Sequence, residues 1–243
     1  MRWLASLFAM LVAVHAHAVC SFGVSNEPSL QDVFDSILPS GTVSASNDCL
    51  PDGGDAKWAA TGQAVATIVI ELAGFSAQNT FGIYDVADPS HRATIFAGSD
   101  GAGTTDTVQI MQSGNHYAVM DNGVWAANFS SPVFGFFLST PQSNVFMSDT
   151  SLNADHGDHI YAYQGDGHSV FASGALAGQT FASNMYLLGF EDLAFPNTDR
   201  DYQDLVAAVQ YVVPVPIPAG VGLLALALAA LAGFRRKTEQ IIV

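Results

Sequence analysis

Between Ala64 and Val213 short apolar runs recur about every eight to twelve residues, and turn residues cut each one off before it reaches helical length. The runs are AVATIVI, FGIYDV, RATIFAG, DTVQIM, PVFGFFL, DHIYAY, HSVFA, NMYLLGF and DLVAAVQYVV, and their β-branched and aromatic residues suit strands. DPS, GSDGAGTT, DNG, NADHGD and GDG between them carry turn chemistry. Parallel strands need crossover helices, for which these spacings leave no room. The predicted class is therefore all-β, an antiparallel, jelly-roll-like β-sandwich whose core draws on 16 Phe and seven Tyr. One short helix precedes it, SLQDVFDSILP. Ser29 caps it, Asp32 takes the third helical position, and Leu30, Val33, Phe34, Ile37 and Leu38 share a face until Pro39 stops the run.

The two ends have a different character. Arg2 opens a basic start, Leu4–Val14 is apolar over a signal-peptide length, and Ala16-His17-Ala18 offers the small residues that a signal peptidase reads. Cleavage is expected after Ala18, since the run is too short to span about 30 Å of hydrocarbon. Ala219–Phe234 is uncharged and is followed by Arg235, Arg236 and Lys237, cations that stay cytoplasmic while the chain before Pro218 faces outward. As a helix that stretch measures roughly 24 Å, a minimal transmembrane helix suited to a temporary anchor. The expected organisation is a signal peptide over 1–18, an exported β-sandwich domain over 19–212 and a sorting signal over 213–243.

The sorting signal rests on order. Val213, Pro214, Val215, Pro216, Ile217 and Pro218 precede the apolar helix, and the basic cluster follows it. This arrangement resembles the bacterial PEP-CTERM class of sorting signals in its VPLPA-type variant. Ile217 stands where that variant usually has leucine, no Glu lies between the prolines, and a short tail follows the cations. The resemblance implies an exosortase-type processing enzyme as partner and a transient inner-membrane anchor in a Gram-negative bacterium. It further implies delivery to the cell surface or to a biofilm matrix containing exopolysaccharide.

In the segment between the two ends, three cations (Lys57, Arg92, Arg200) stand against 21 acids, a formal charge of −18. Such a surface repels nucleic acid, which is excluded as a partner. Eighteen of those acids are Asp, the short carboxylate that turns and tight metal loops prefer. Cys20 and Cys49 are expected to pair in an oxidising compartment, closing a loop of about 30 residues worth roughly 3 kcal/mol.

Placement makes the acids informative. In GFEDLAFPNTDRDYQDLVAAVQ, Glu191, Asp192, Asp199, Asp201 and Asp204 fall within fourteen positions, relieved by Arg200 alone. Two carboxylates about 4 Å apart repel by about 4 kcal/mol at an effective dielectric of 20. Arg200 can serve one or two of them, in a salt network, and the remainder must be protonated, splayed into solvent or bound to a cation. A divalent ion with flexible oxygen geometry, calcium, is the expected cofactor. Asp199 and Asp201 would point the same way in an extended loop, with Asp204 at the mouth of the last strand. The spacing is not that of an EF-hand, because Asp204 falls where the loop needs glycine. NADHGDHIYAY adds Asp155 and Asp158, which would complete the ligand shell if the two strands are neighbours. His159 is expected to pack or support, since calcium prefers oxygen.

These residues carry a second resemblance. LLGFEDLAFPNTDRDYQDLV, preceded by Asn-x-Asp-x-x-Asp-His, is similar to an uncharacterised extracellular domain, of the domain of unknown function 4114 type, found in secreted and PEP-CTERM proteins. Its hallmark is G-F-E-D followed by D-R-D-[YF]-x-D, and the likeness extends weakly to SLQDVFDSI, ELAGFSAQNTFGIYD and FGFFL. This chain has Gln203 where the family carries Asn, and AFPNT where it usually has glycines. The resemblance implies the fold, the export route and a calcium site, and nothing enzymatic.

The chain has no G-x-S-x-G elbow, H-E-x-x-H, P-loop or strand-following G-x-G-x-x-G. Glu191 and Asp192 could imitate a glycosidase pair, but neighbours on a strand point to opposite faces. The expected function is non-catalytic. One version is a matrix or surface component rigidified by calcium; the other is a carbohydrate-binding module in which Trp58, Trp125 or Tyr117 stacks on sugar rings.

Overall fold

The computed structural model describes residues 20–24, 26–51, 53–71 and 78–215, with the side chains of 68–71 excepted. Helix α1 (Leu30–Ile37) is followed by β1 (Trp58–Glu71), β2 (Thr80–Asp85), β3 (Asp88–Phe96), β4 (Thr105–Ser113), β5 (His116–Asp121) and β6 (Val124–Phe129). Then come β7 (Val133–Ser139), β8 (Val145–Met147), β9 (Ile160–Gln164), β10 (Met185–Phe190) and β11 (Leu205–Pro214). All strand pairings are antiparallel, as the absence of crossover helices requires.

The strands do not separate into two sheets. They form one sheet in the order β3-β2-β7-β1-β11-β10-β9, with β4-β5-β6 branching from β1 and β8 paired to β7, and it curls until it is nearly closed and barrel-like. The long strand β1 makes this possible. One edge pairs with β11 from Trp58 to Glu71, whereas the other serves β7 at Trp58–Ala59 and β4 at Ala64–Thr67. Between Ala60 and Val65, five steps of β1 pass two steps of β11. An irregularity of that size bends a strand, and here β1 exchanges one neighbour for another.

Strands β9 to β11 are buried on both faces, which explains why YLLGF and LVAAV read as continuous apolar runs. One face meets the curled sheet, where Trp58, Phe81, Phe136, Tyr186, Phe190, Leu205 and Val209 pack together. Phe81 stacks on Phe136 at 5.6 Å and meets Phe190 edge-on at 5.4 Å. The opposite face carries Tyr163, Leu187, Val206 and Ala208 against Leu30, Val33, Phe34 and Ile37 of α1. The helix begins where the sequence indicates, with Ser29 and Asp32 forming a reciprocal capping box.

Three departures from the sequence reading have local causes. HSVFA is not a strand; it makes only the isolated bridge Val170↔Thr180, while turn hydrogen bonds such as Gly167 N to Phe181 O hold Phe171 and Phe181 in the second core. Strands β5 and β6 were not expected, because Ala, Asn and exposed positions dilute their pattern. DNG nonetheless forms their two-residue turn, with Asn122 and Gly123 both at positive φ. Strand β11 extends through Val213 and Pro214, which pair with Ala59 and Trp58, so the first two residues of the proline motif belong to the sheet. Among the described residues no helix is long and apolar enough to cross a membrane. Leu4–Val14, the motif from Pro216 onward, Ala219–Phe234 and Arg235, Arg236 and Lys237 lie outside the described residues.

Cys20 and Cys49 form a disulfide across 29 positions. It holds the first described residues against the second core, where Phe22 meets Tyr161 and Tyr202 edge-on at 5.6 Å each. Opening the loop by replacing both cysteines with serine is expected to reduce stability by roughly 3 kcal/mol through unfolded-state entropy. Urea unfolding of the double variant beside the native protein measures the loss.

Candidate metal centre

The pairing of Phe190 with Leu205 brings the two ends of the β10–β11 connection side by side. Glu191 and Asp192 leave one end and Asp204 enters the other, so three acids meet at a sheet end that the two cores cover. Glu191 is fully buried, and Asp192, Asp201 and Asp204 are nearly so. Two groups result, Glu191–Asp199–Asp201 and Glu191–Asp192–Asp204, each with one carboxylate oxygen per residue and all these atoms within 4.8 Å of one another.

Strand alternation does not separate Glu191 from Asp192, because β10 ends at Phe190 and the backbone turns. Beyond it, Arg200 and Tyr202 take positive φ of 58° and 56°, alternating with the acids of D-R-D-Y-x-D. Left-handed residues of this size are costly. Tyr202 is held by stacking on Tyr161 at 4.1 Å and by donating its hydroxyl to the Asp158 carbonyl at 2.7 Å. Gly189 is needed at the crossing, where a Cβ would lie 2.6 Å from the Tyr202 carbonyl oxygen.

Hydrogen bonds satisfy the acids only in part. The Asp192 N–H donates to Asp204 Oδ2 at 2.8 Å, and Asn79 Nδ2 donates to Asp192 Oδ2 at 2.9 Å. Gln203 Nε2 donates to Asp201 Oδ2 at 3.1 Å and to Glu27 Oε2 at 3.0 Å. Glu191 Oε1 accepts from the Leu193 N–H at 3.1 Å, while Oε2 is buried without a hydrogen-bond partner. The only cation of the connecting loop, Arg200, lies over the Phe195 ring at 4.5 Å. Among the described residues no salt bridge from Lys or Arg reaches Glu191, Asp192, Asp201 or Asp204.

Burial pushes Asp204 up to about 9, and neighbouring Asp192 and Glu191 add to the shift. Burial likewise raises Glu191 to about 7, opposed by Thr198 and the Leu193 N–H and reinforced by Asp199 and Asp201. Asp192 is raised for the same first reason.

Asp155 and Asp158 stand outside both groups, because β10 separates β9 from β11. Asp155 instead buttresses the loop. Its Oδ2 accepts from the Phe195 N–H at 2.9 Å and lies 3.0 Å from His159 Nε2, and its Oδ1 accepts from the Gly157 N–H at 3.0 Å. Although burial works against it, those contacts hold the carboxyl below its ordinary value. His159 is fully buried, stacks on Phe146 at 3.7 Å and places Nδ1 3.2 Å from the Glu191 carbonyl oxygen, the packing role its residue type suggested. Within AFPNT, Phe195 meets the His159 ring edge-on at 5.2 Å, and a Cβ on Gly157 would lie 2.4 Å from Phe195. Glu27, Asn79 and Gln203 are site neighbours that sequence reasoning missed. Gln203 had been marked only as a departure from Asn, and Asn79 lay unremarked in QNTFGIYD.

Residues 101–211 match the family model of the domain of unknown function DUF4114. The DUF4114 segment contains all seven acids considered as ligands, whereas Glu27 and Asn79 precede it. No curated protein and no solved structure matches the chain.

The raised acids give the metal-free protein a defined pH dependence. Folded-state values above the unfolded ones, about 4 for both residue types, mean that the folded state holds protons the unfolded state releases. The stability they contribute is complete below about pH 4 and is lost as pH rises through about 7 for Glu191 and about 9 for Asp204. In chelator the melting temperature should fall from pH 5 to pH 9, and Asp204→Asn should flatten the upper part of that fall. Calorimetric melts across this range check both.

Proposed function

We propose that this chain is a non-catalytic, calcium-binding extracellular β-domain, a structural or adhesive component of a bacterial surface or exopolysaccharide matrix. The observation that carries the reading is Glu191 Oε2, a buried carboxylate oxygen without a hydrogen-bond partner, common to two sets of acids. Buried polar atoms left unpaired are costly, and a hard cation removes that cost together with the mutual repulsion. The donors are all oxygens, carboxylates with the Asn79 and Gln203 amides beside them, which suits calcium better than zinc or copper. Glu191, Asp192, Asp199, Asp201 and Asp204 would hold the ion. Asp155 and Asp158 would support the loop from behind.

The disulfide supports exposure to an oxidising compartment. Export by the signal peptide, handling by an exosortase-type enzyme at a transient inner-membrane anchor, and release to the surface of a Gram-negative cell complete the proposal. The carbohydrate-module alternative needs several exposed rings. Trp58 lies in the core, Tyr117 packs against it, and Trp125 on β6 is 59% exposed. That geometry favours the calcium reading.

With free calcium about tenfold above its dissociation constant, binding adds about 1.4 kcal/mol to folding. This corresponds to a melting temperature roughly 3–5 °C higher for a domain of this size. Scanning calorimetry in calcium and in chelator should show the difference, and Asp201→Asn or Asp204→Asn should reduce it. Coincident native melts in the two buffers would overturn the reading.

A further inference from the structure

We propose that the acid cluster holds two adjacent divalent cations bridged by the Glu191 carboxylate. The inference rests on the calcium reading and deepens it. The two ligand groups share Glu191 and nothing else: Asp199 and Asp201 complete one, Asp192 and Asp204 the other. A carboxylate that bridges gives one oxygen to each ion. Both oxygens of Glu191 are candidates: Oε1 accepts from the Leu193 N–H, and Oε2 is buried without a hydrogen-bond partner.

Each lobe also has an amide oxygen of its own. Gln203, hydrogen-bonded to Asp201 in the first lobe, has a buried Oε1 without a partner. Asn79, hydrogen-bonded to Asp192 in the second, has a buried Oδ1 in the same condition. In both cases the amide nitrogen donates to a carboxylate, which fixes the assignment of the oxygen. Of five buried side-chain atoms without partners among the described residues, three therefore belong to Glu191 and to the two amides hydrogen-bonded to its neighbouring acids. Amide oxygens are ordinary calcium ligands.

Charge favours the same count. With all five carboxylates of the two groups ionised on metal binding, one divalent ion leaves a net −3 and two leave −1. Paired metal ions sharing ligands lie about 3.5–4 Å apart, a separation that only a shared carboxylate set could stabilise here.

The test uses the purified full chain stripped with chelator. Calcium titration calorimetry should find two tight sites. A chain of net charge −15 will also gather calcium loosely over its surface, so proximity is read separately by loading an equimolar mixture of terbium and europium. Adjacent ions should transfer energy, giving europium emission on terbium excitation and a severalfold shorter terbium lifetime. Asp199→Asn and Asp204→Asn, each verified as folded by circular dichroism, should each leave one bound ion and abolish transfer, and Glu191→Gln should weaken both ions. One tight calcium per native chain with an unchanged terbium lifetime would overturn the paired site and leave the calcium reading standing. No tight binding of calcium or terbium would overturn both.

Discussion

The hydrogen-bonded pair β10–β11 is the constraint on which the rest of this domain depends. These strands supply the wall between two cores, so neither can shift in register without moving apolar residues out of both. Their connection must leave at Glu191 and return at Asp204 with Phe190 and Leu205 already paired. The acids at those positions are thus carried into a dry environment by the burial of their neighbours. Side-chain burial worth roughly 1.5–3 kcal/mol per large apolar residue, repeated along both strands, outweighs the cost of a few carboxyl groups that can retain their protons.

Keeping the proton is only one way to settle such a site. Burial first, with Asp192 and Glu191 beside it, keeps Asp204 protonated at neutral pH, and burial with Asp199 and Asp201 brings Glu191 up to about 7. The loop is held by contacts along its length. Asp155, His159 and Phe195 brace its outer half, the Tyr161–Tyr202 stack braces the middle, and Gly23 N–H donates to the Arg200 carbonyl at 3.0 Å. A cation entering would meet carboxylates already gathered, with little ordering left to do.

Periodicity disclosed the β class, the antiparallel pairing and α1 with its capping box, because those depend on local spacing. It did not disclose the nearly closed sheet. That outcome hangs on an irregularity inside β1 around Thr61–Ala64, and residues that permit a bend do not announce which neighbours a strand will exchange. The acids were legible as a group for the same reason that they are close: most lie within one connection. Their division into two lobes was not, since Glu191 belongs to both only after the backbone turns beyond Phe190. The placement of Asp155 and Asp158 was not legible because strand order is a long-range property, and one intervening strand sets them outside both acid groups. HSVFA misled, its apolar residues being buried by turns and not by ladder pairing.

The matched segment 101–211 does not complete the site by itself. Asn79 comes from the residues just before β2, and Glu27 and Gly23 come from the stretch that the disulfide holds against the second core. The Gln203 amide joins Glu27 to Asp201 and so ties the N-terminal stretch to the acid loop. A charge placed among these residues therefore acts on three pieces of chain at once: the β10–β11 connection, the start of β2 and the disulfide-held strap. The polar site thereby couples the curled sheet to the helix-bearing face.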